Sequence, residues 1–380
     1  MVGQRIYIAA TNDLLIDQRV HRTAITLMES GAVPVVIGLR RPGSQPLPQR
    51  PYPTHRLRPV FQRGFLFYLG VNLRLFCYLL FSKAGTLVSN DLDTLPAMFL
   101  VARIRNKKLV FDSHEYFTEL PELVGRRFVR RVWETLEGNL LPRIRHGYTV
   151  CRPIADAYHE KYGITLAVVR NLPLAWQGPD AGEDGSYLPS DVIIYQGAVN
   201  VGRGLESMIR AMAYLEKYRL QIYGDGTITG DLLRLRDSLA LGDRVEFMGR
   251  IPFEELRSRT REAALGISLE ENLGLNYYYA LPNKLFDYIQ ARVPVLVSDL
   301  PEMSRIVTDY GVGQVLRDRE PEKLAVQVNE MLSSAEMRKE WSRNLQVAAA
   351  ELCWEKEAEK LREVYREVGI TFPSTPRSHG

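Results

Sequence analysis

Residues Tyr277–Asp299 read YYYALPNKLFDYIQARVPVLVSD, a tight loop, a short helix and then a buried strand. Pro282 suits the first turn of a helix, where a missing N–H costs nothing. Leu285, Phe286 and Ile289 recur at helical spacing and form one apolar face. Pro294 closes the helix, and Val295-Leu296-Val297 is the short apolar run of a strand buried on both faces. Asn283, Lys284 and Asp287 fall at the start and on the flank of that helix. The backbone N–H groups and positive dipole end of a helix N-terminus suit phosphate. Lys284 adds a mobile cation there, and Asp287, one turn on, is placed to accept a ribose hydroxyl.

Upstream of this stretch the pattern alternates. Val192–Gln196, Leu220–Tyr223, Val245–Met248 and Leu265–Leu269 read as strands; Leu205–Tyr214, Thr229–Leu239 and Phe253–Arg261 read as helices. Residues 176–190, WQGPDAGEDGSYLPS, have the composition of a linker. Before them the alternation runs once already. Arg5–Ala10, Val33–Leu39, Leu87–Ser89, Leu109–Phe111 and Gly147–Val150 are strands, with helices over Gln18–Ser30, Leu95–Ile104 and Val129–Leu140. The expectation is an α/β chain of two Rossmann-like, doubly wound parallel-sheet domains, 1–172 and 173–353. A terminal amphipathic helix follows at 354–368. In such sheets ligands sit at the carboxyl ends of the strands.

A chain of 380 residues with 46% apolar and 25% charged residues fits a globular protein of two domains. Three cysteines, Cys77, Cys151 and Cys353, form no disulfide framework or zinc pattern and point to a reducing compartment. Chain start and composition suggest neither a signal peptide nor a membrane span, because Arg74 interrupts the most apolar segment, 64–82. The expected location is therefore cytoplasmic. The net charge of +4 divides unevenly: residues 1–170 hold 24 Lys+Arg against 13 Asp+Glu, and residues 171–380 hold 25 against 32. A basic first half attracts anionic partners, yet no nucleic-acid-binding signature accompanies it. Phe61–Leu80, FQRGFLFYLGVNLRLFCYLL, is unusually aromatic with basic flanks, and Gly125–Arg131 adds a basic amphipathic stretch. Both fit either core helices with solvated arginines or a face resting on the inner surface of an anionic membrane.

The segment 277–299 resembles the donor-binding motif of GT-B fold retaining glycosyltransferases of family 4, whose two Rossmann-like domains face each other across a cleft. In that family a glutamate after a KLFE-like run holds the ribose of a sugar nucleotide; the matching residue here is Asp287. A second glutamate eight residues earlier is replaced by Tyr279, with Glu270 and Glu271 upstream as alternatives. The resemblance extends over residues 5–368 in the family's order. Gly197 and Gly202-Arg203-Gly204 match the phosphate loop. Ala198 replaces the family's arginine there, and Arg203 keeps the charge of its lysine. Gly224-Asp225-Gly226 matches a turn without a side-chain role. Gly249-Arg250, in FMGRIP, matches the loop whose backbone meets the nucleobase. In the first half, Asp112-Ser113-His114-Glu115 resembles a DSHE variant with the histidine over the donor sugar, and Asn90-Asp91-Leu92-Asp93 resembles an HDLDT segment. Asp91 is either an N-cap or the group that orients an acceptor hydroxyl or His114. Asp17–Arg19 resembles the family's first loop, or is a capping and salt-bridge pair.

The resemblance thus implies donor binding by Gly197, Arg203, Gly249, Arg250, Asn283, Lys284, Leu285 and Asp287, and catalytic roles for His114 and Asp91. The implied partners are a nucleotide-sugar and a carbohydrate or lipid-linked acceptor, with no metal or cofactor. The implied reaction is sugar transfer with retention in polysaccharide or glycolipid assembly. Two alternatives stay open: a sugar-nucleotide epimerase on the same fold, and a non-catalytic partner subunit.

Overall fold

The computed structural model describes residues 4–15, 17–120, 123, 126–177, 190–370 and 372. It divides into two units, residues 1–171 with 357–380, and residues 172–356. Most of the linker-like stretch, 178–189, lies outside the described residues, as does Gly125 of the basic stretch.

In the first unit, apolar runs such as Val35-Val36-Ile37 are buried on both faces, as parallel strands require. The strands are β1 (Arg5–Ala9), β2 (Val33–Leu39), β3 (Thr54–Leu57), β4 (Thr86–Asn90), β5 (Lys108–Ser113), β6 (His146–Thr149) and β7 (Ala167–Val168). They form one parallel sheet in the order β3-β2-β1-β4-β5-β6-β7. The helices are α1 (Gln18–Glu29), α2 (Gly64–Leu80), α3 (Asp91–Ile104), α4 (Arg127–Leu140) and α5 (Arg152–Tyr162). Strand order reverses between β1 and β4, the point where open sheets leave a crevice at their carboxyl edge.

Two local features decide how this edge is built. Asp17 caps α1, its Oδ1 accepting from Val20 N–H at 3.0 Å. Pro96 lies inside α3, where its ring disturbs the helical ladder. Asn72 of α2 repairs it, since Ala97 N–H donates to Asn72 Oδ1 at 3.0 Å and the Asn72 amide donates to the Asp93 carbonyl at 2.8 Å. The aromatic segment divides by face. Phe67, Val71, Leu75 and Leu79 of α2 are buried, whereas Phe65, Leu66, Leu69 and Leu73 are exposed. Core packing explains only the first set.

The second unit holds β8 (Val192–Gln196), β9 (Arg219–Tyr223), β10 (Val245–Gly249), β11 (Leu265–Ser268), β12 (Val295–Val297) and β13 (Gly313–Val315). They form a parallel sheet in the order β10-β9-β8-β11-β12-β13. Its helices are α6 (Leu205–Ala211), α7 (Thr229–Ser238), α8 (Phe253–Arg261), α9 (Leu275–Tyr278), α10 (Asn283–Gln290), α11 (Pro301–Tyr310), α12 (Pro321–Ser333) and α13 (Ala335–Glu351). Pro282 is the N-cap of α10 rather than its first helical residue. Helix α10 is fixed by Tyr288, whose hydroxyl lies 3.3 Å from the Ile194 carbonyl and 3.2 Å from the Ile267 carbonyl. Only glycine fits at 266, because a Cβ there would lie 2.5 Å from the Tyr288 ring. Helix α14 (Trp354–Glu367) closes the chain. From Glu357 it belongs to the first unit, where Glu357 pairs with Arg170 at 2.8 Å and Arg362 donates to Ser30 Oγ at 3.1 Å.

Candidate functional site

The carboxyl edge of the second sheet gathers the phosphate-type groups. β8 ends at Gln196, and Gly197 turns away at φ 130°, a left-handed conformation that favours glycine. The turn after β9 approaches so closely that a Cβ on Gly224 would lie 1.9 Å from the Gly197 carbonyl oxygen. Gly224 N–H in turn donates to the Gly249 carbonyl at 2.8 Å, which joins three strand ends through backbone. Gly224 therefore acts by backbone approach, and Arg250 is exposed beyond it.

Lys284 is not a mobile surface cation. Its side chain is buried, its ammonium donates to Glu270 Oε1 at 2.8 Å, and it lies 4.0 Å from the Tyr195 ring centroid. A Cβ on Gly197 would sit 3.7 Å from that ammonium, so the glycine turn lies directly beside the cation. Arg203 reaches the same carboxylate at 3.5 Å and stacks 5.0 Å from the Tyr277 ring centroid. Glu270 is fully buried, and its other oxygen accepts from Ser268 Oγ at 2.7 Å. Burial pushes its carboxyl up, but the Lys284 charge and hydrogen bond, with Ser268 and Arg203, hold it below the ordinary range. Two cations thus converge on Glu270, and one of them, Lys284, lies beside Gly197 in the first turn of α10, whose N-terminus has no side-chain cap. Asn283 is exposed in that first turn. Leu285 is a core residue, fully buried, and its N–H donates to the Pro282 carbonyl at 3.1 Å, so it offers no side chain to a ligand.

Asp287 lies elsewhere on α10. It accepts from Gln196 Nε2 at 2.9 Å, and Gln196 Oε1 accepts from Thr260 at 2.8 Å. Its pocket is walled by Trp176, Arg257 and Arg261. The Trp176 ring, at the start of the linker-like stretch, lies 4.8 and 4.4 Å from the Arg257 and Arg261 guanidinium groups. Gln196 connects the two groups, since the next residue is Gly197. The sequence names Glu270 only as an alternative to Tyr279, and it gives no site role to Tyr195 or Gln196. Position was their signal, because each lies at or just beyond a strand's carboxyl end.

In the first unit His114 follows β5 and Asp91 follows β4. Asp91 is not an N-cap: it begins α3 with φ 57°, a left-handed conformation rare for aspartate, and its Oδ1 accepts from the His114 backbone N–H at 2.8 Å. Its other oxygen is 3.7 Å from His114 Nδ1. His114 Nε2 lies 3.0 Å from Asp112 Oδ2, and Asp112 is paired with buried Arg19 at 2.8 Å. Arg19 therefore bridges to Asp112, not to Asp17. Burial would lower the His114 pKa, but Asp112 and Asp91 outweigh it and raise the ring to about 9. Burial lifts Asp91 and Asp93 to about 6 against the pull of His114 and of the Thr11 hydrogen bond respectively. Burial would also lift Asp112, yet Arg19 and His114 hold it at about 2. Asp91, Asp93 and His114 line a pocket of about 380 Å³ with Tyr68, Trp133 and Arg41. NMR titration of His114 should give a midpoint near 9; a midpoint at the ordinary histidine value would refute this arrangement.

Residues 182–347 match the family "Glycosyl transferases group 1". The alpha-D-kanosaminyltransferase of Streptomyces kanamyceticus is 26% identical over 185 residues, 47% of this chain and 46% of that protein. The matched region thus spans about half the length of that curated relative. Sucrose-phosphate synthase from Thermosynechococcus elongatus superposes with TM-score 0.76 at 17% identity, over 96% of this chain and 99% of that one. HepE of Anabaena, solved in complex with UDP-glucose, does so with TM-score 0.73 at 12% identity, over 96% and 100%. At these identities the likeness to the solved structures speaks for the fold.

Proposed function

We propose that this chain is a glycosyltransferase that moves a sugar from a nucleotide-sugar to an acceptor hydroxyl, with retention, in the assembly of polysaccharide or glycolipid. The observation that carries the reading is the convergence of Arg203 and Lys284 on Glu270, with Lys284 beside Gly197 at the carboxyl end of β8. In the transfer, the bond from the anomeric carbon to the diphosphate oxygen breaks and a bond to the acceptor oxygen forms. The acceptor's proton leaves with the nucleoside diphosphate. Negative charge grows on that diphosphate, and fixed cations with a helix N-terminus stabilise charge that develops in the transition state. The reading calls for no metal or cofactor. Asp287 takes a ribose hydroxyl, as its carboxylate already accepts from a neutral amide. The pocket holding Asp91 and His114 takes the acceptor. The chain acts in the cytoplasm at the inner face of the membrane, using its basic first unit. Among the described residues no helix is long and apolar enough to cross a membrane.

Calorimetry with UDP, GDP, ADP and TDP tests the donor half. One nucleotide should bind selectively, and Asp287→Ala should weaken it roughly tenfold or more, the loss expected for a charged hydrogen bond. The variant should stay folded, since Asp287 sits at the rim of a pocket rather than in the core. No binding of any of the four nucleotides, or unchanged affinity in folded Asp287→Ala, would overturn the donor site.

A further inference from the structure

A second basin lies on the carboxyl edge of the first sheet, outside the residues that the family resemblance points to. Arg40 directly follows β2 and Arg58 directly follows β3, and Arg40 N–H donates to the Leu57 carbonyl at 2.8 Å, tying the two strand ends together. With Arg41 they line a pocket of about 350 Å³, alongside Ser44 and Gln62. No acidic residue lines it, and among the described residues no carboxylate pairs with any of these three arginines. Three guanidinium groups around one hollow repel each other unless an anion joins them, and the planar guanidinium fork matches phosphate oxygens two at a time. Arg41 also lines the pocket that holds Asp91 and His114, so the two hollows adjoin.

The same edge meets an apolar surface. The Arg41 guanidinium lies 5.0 Å from the ring centroid of Phe67 in the first turn of α2. Arg74 of α2 donates to the Arg58 carbonyl. The outward face of α2 carries Phe65, Leu66, Leu69 and Leu73, with Phe65 69% and Leu73 56% exposed. These positions share one side of a helix, and no charge interrupts them. Phe81, 86% exposed, extends the strip, and Arg63 and Lys83 stand at its two ends. A contiguous apolar strip with cations at its rim fits an anionic bilayer surface, where apolar groups enter the headgroup layer and cations meet phosphate.

We infer that the Arg40–Arg41–Arg58 basin binds the phosphate or diphosphate head group of a membrane-borne amphiphile, with the outward face of α2 in the headgroup layer. That amphiphile is the acceptor; this last identification rests on the glycosyltransferase reading, whereas the head-group site does not. The phosphate fixes the amphiphile's head beside the pocket of Asp91 and His114, and its apolar part stays in the bilayer.

Flotation of the full chain with vesicles tests this. The chain should float with vesicles of phosphatidylglycerol and phosphatidylcholine and far less with phosphatidylcholine alone. Arg40→Ser/Arg58→Ser should lower binding roughly tenfold or more, on the usual contribution of each basic residue at an anionic surface. The charge-matched control Arg210→Ser/Arg234→Ser, on exposed residues of the second unit, should not. Phe65→Ser/Leu69→Ser/Leu73→Ser should also release the chain. A measurement free of variants is competition: inorganic pyrophosphate should strip the wild-type chain from vesicles more effectively than sodium chloride of equal ionic strength. Wild-type-like flotation of the arginine variant, or release by pyrophosphate no greater than by salt, overturns the head-group site. Pyrophosphate binding with no vesicle binding overturns the membrane source. None of these readouts needs a nucleotide, so failure of the donor calorimetry would remove the transferase reading and leave this result standing.

Discussion

Lys284→Met is expected to destabilise the second unit by about 3 kcal/mol and to weaken nucleotide binding on the order of a hundredfold. Both effects come from one contact. Glu270 is fully buried, and its charge is held by Lys284 at 2.8 Å and less closely by Arg203 at 3.5 Å. Removing one partner of a buried pair leaves the other charge without compensation, which costs more than the pair itself contributed. The pH dependence separates this from simple loss of packing. In the wild type the Glu270 pKa lies below its ordinary value of 4.5, so its contribution is present above that pH and is lost as pH falls through the folded pKa. In the variant burial dominates and the pKa rises, so the penalty is greatest at high pH and shrinks as pH falls and Glu270 takes up a proton. Urea denaturation at about pH 5 and about pH 8 should show the larger deficit at the higher pH. Glu270→Gln/Lys284→Met removes both charges and should recover most of the stability without recovering nucleotide binding. Recovery of binding in that double variant would mean that Lys284 only neutralises Glu270 and meets no phosphate.

What the sequence made legible follows a physical line. Strand and helix identities were readable because buried parallel strands and amphipathic helices impose different periods, and the strands Val33–Leu39 and Val192–Gln196 fall at the expected residues. The sequence pattern predicts α3 only from Leu95, four residues past its start, because Pro96 and the turn at Asp91 hide the helix; nothing local announces that Asn72 of α2 repairs it. Gly197 reads as part of a phosphate loop and Gly224 as a turn, and the structure packs the backbone of one against the other. The state of the charges was not legible. Periodicity places Lys284 on a helix flank, but its burial depends on Glu270, fourteen residues upstream, and on the Tyr195 ring. Arg19 and Asp112 are ninety-three residues apart, and only the sheet brings them together. The aromatic segment was ambiguous for a similar reason. A helix apolar all round gives no sign of which face is covered until its neighbours are known.

Asp112→Asn should cost the first unit about 3–5 kcal/mol, because it leaves the Arg19 guanidinium buried without its carboxylate. It should also release His114, whose raised pKa depends first on Asp112 among its favourable partners. The two losses have different pH windows. The Asp112 carboxyl is held at about 2 against an ordinary 3.8, so its contribution is complete above 3.8 and fades as pH falls toward 2. His114 is raised to about 9 against an ordinary 6.5, so its contribution is complete below 6.5 and is lost as pH rises through 9. Asp91 and Asp93, raised to about 6, act in the opposite sense to Asp112: their contribution is present below 3.8 and is gone above about 6. The wild-type unit should therefore lose stability between neutral pH and about pH 10 as the imidazolium is lost, and Asp112→Asn should flatten that loss while lowering the whole curve. Urea denaturation across that range reads both changes. A variant whose curve is lowered but keeps the wild-type slope would show that His114 draws its charge from Asp91 alone. Asp112 would then serve the fold through Arg19 and leave the histidine to the residue with the strained backbone.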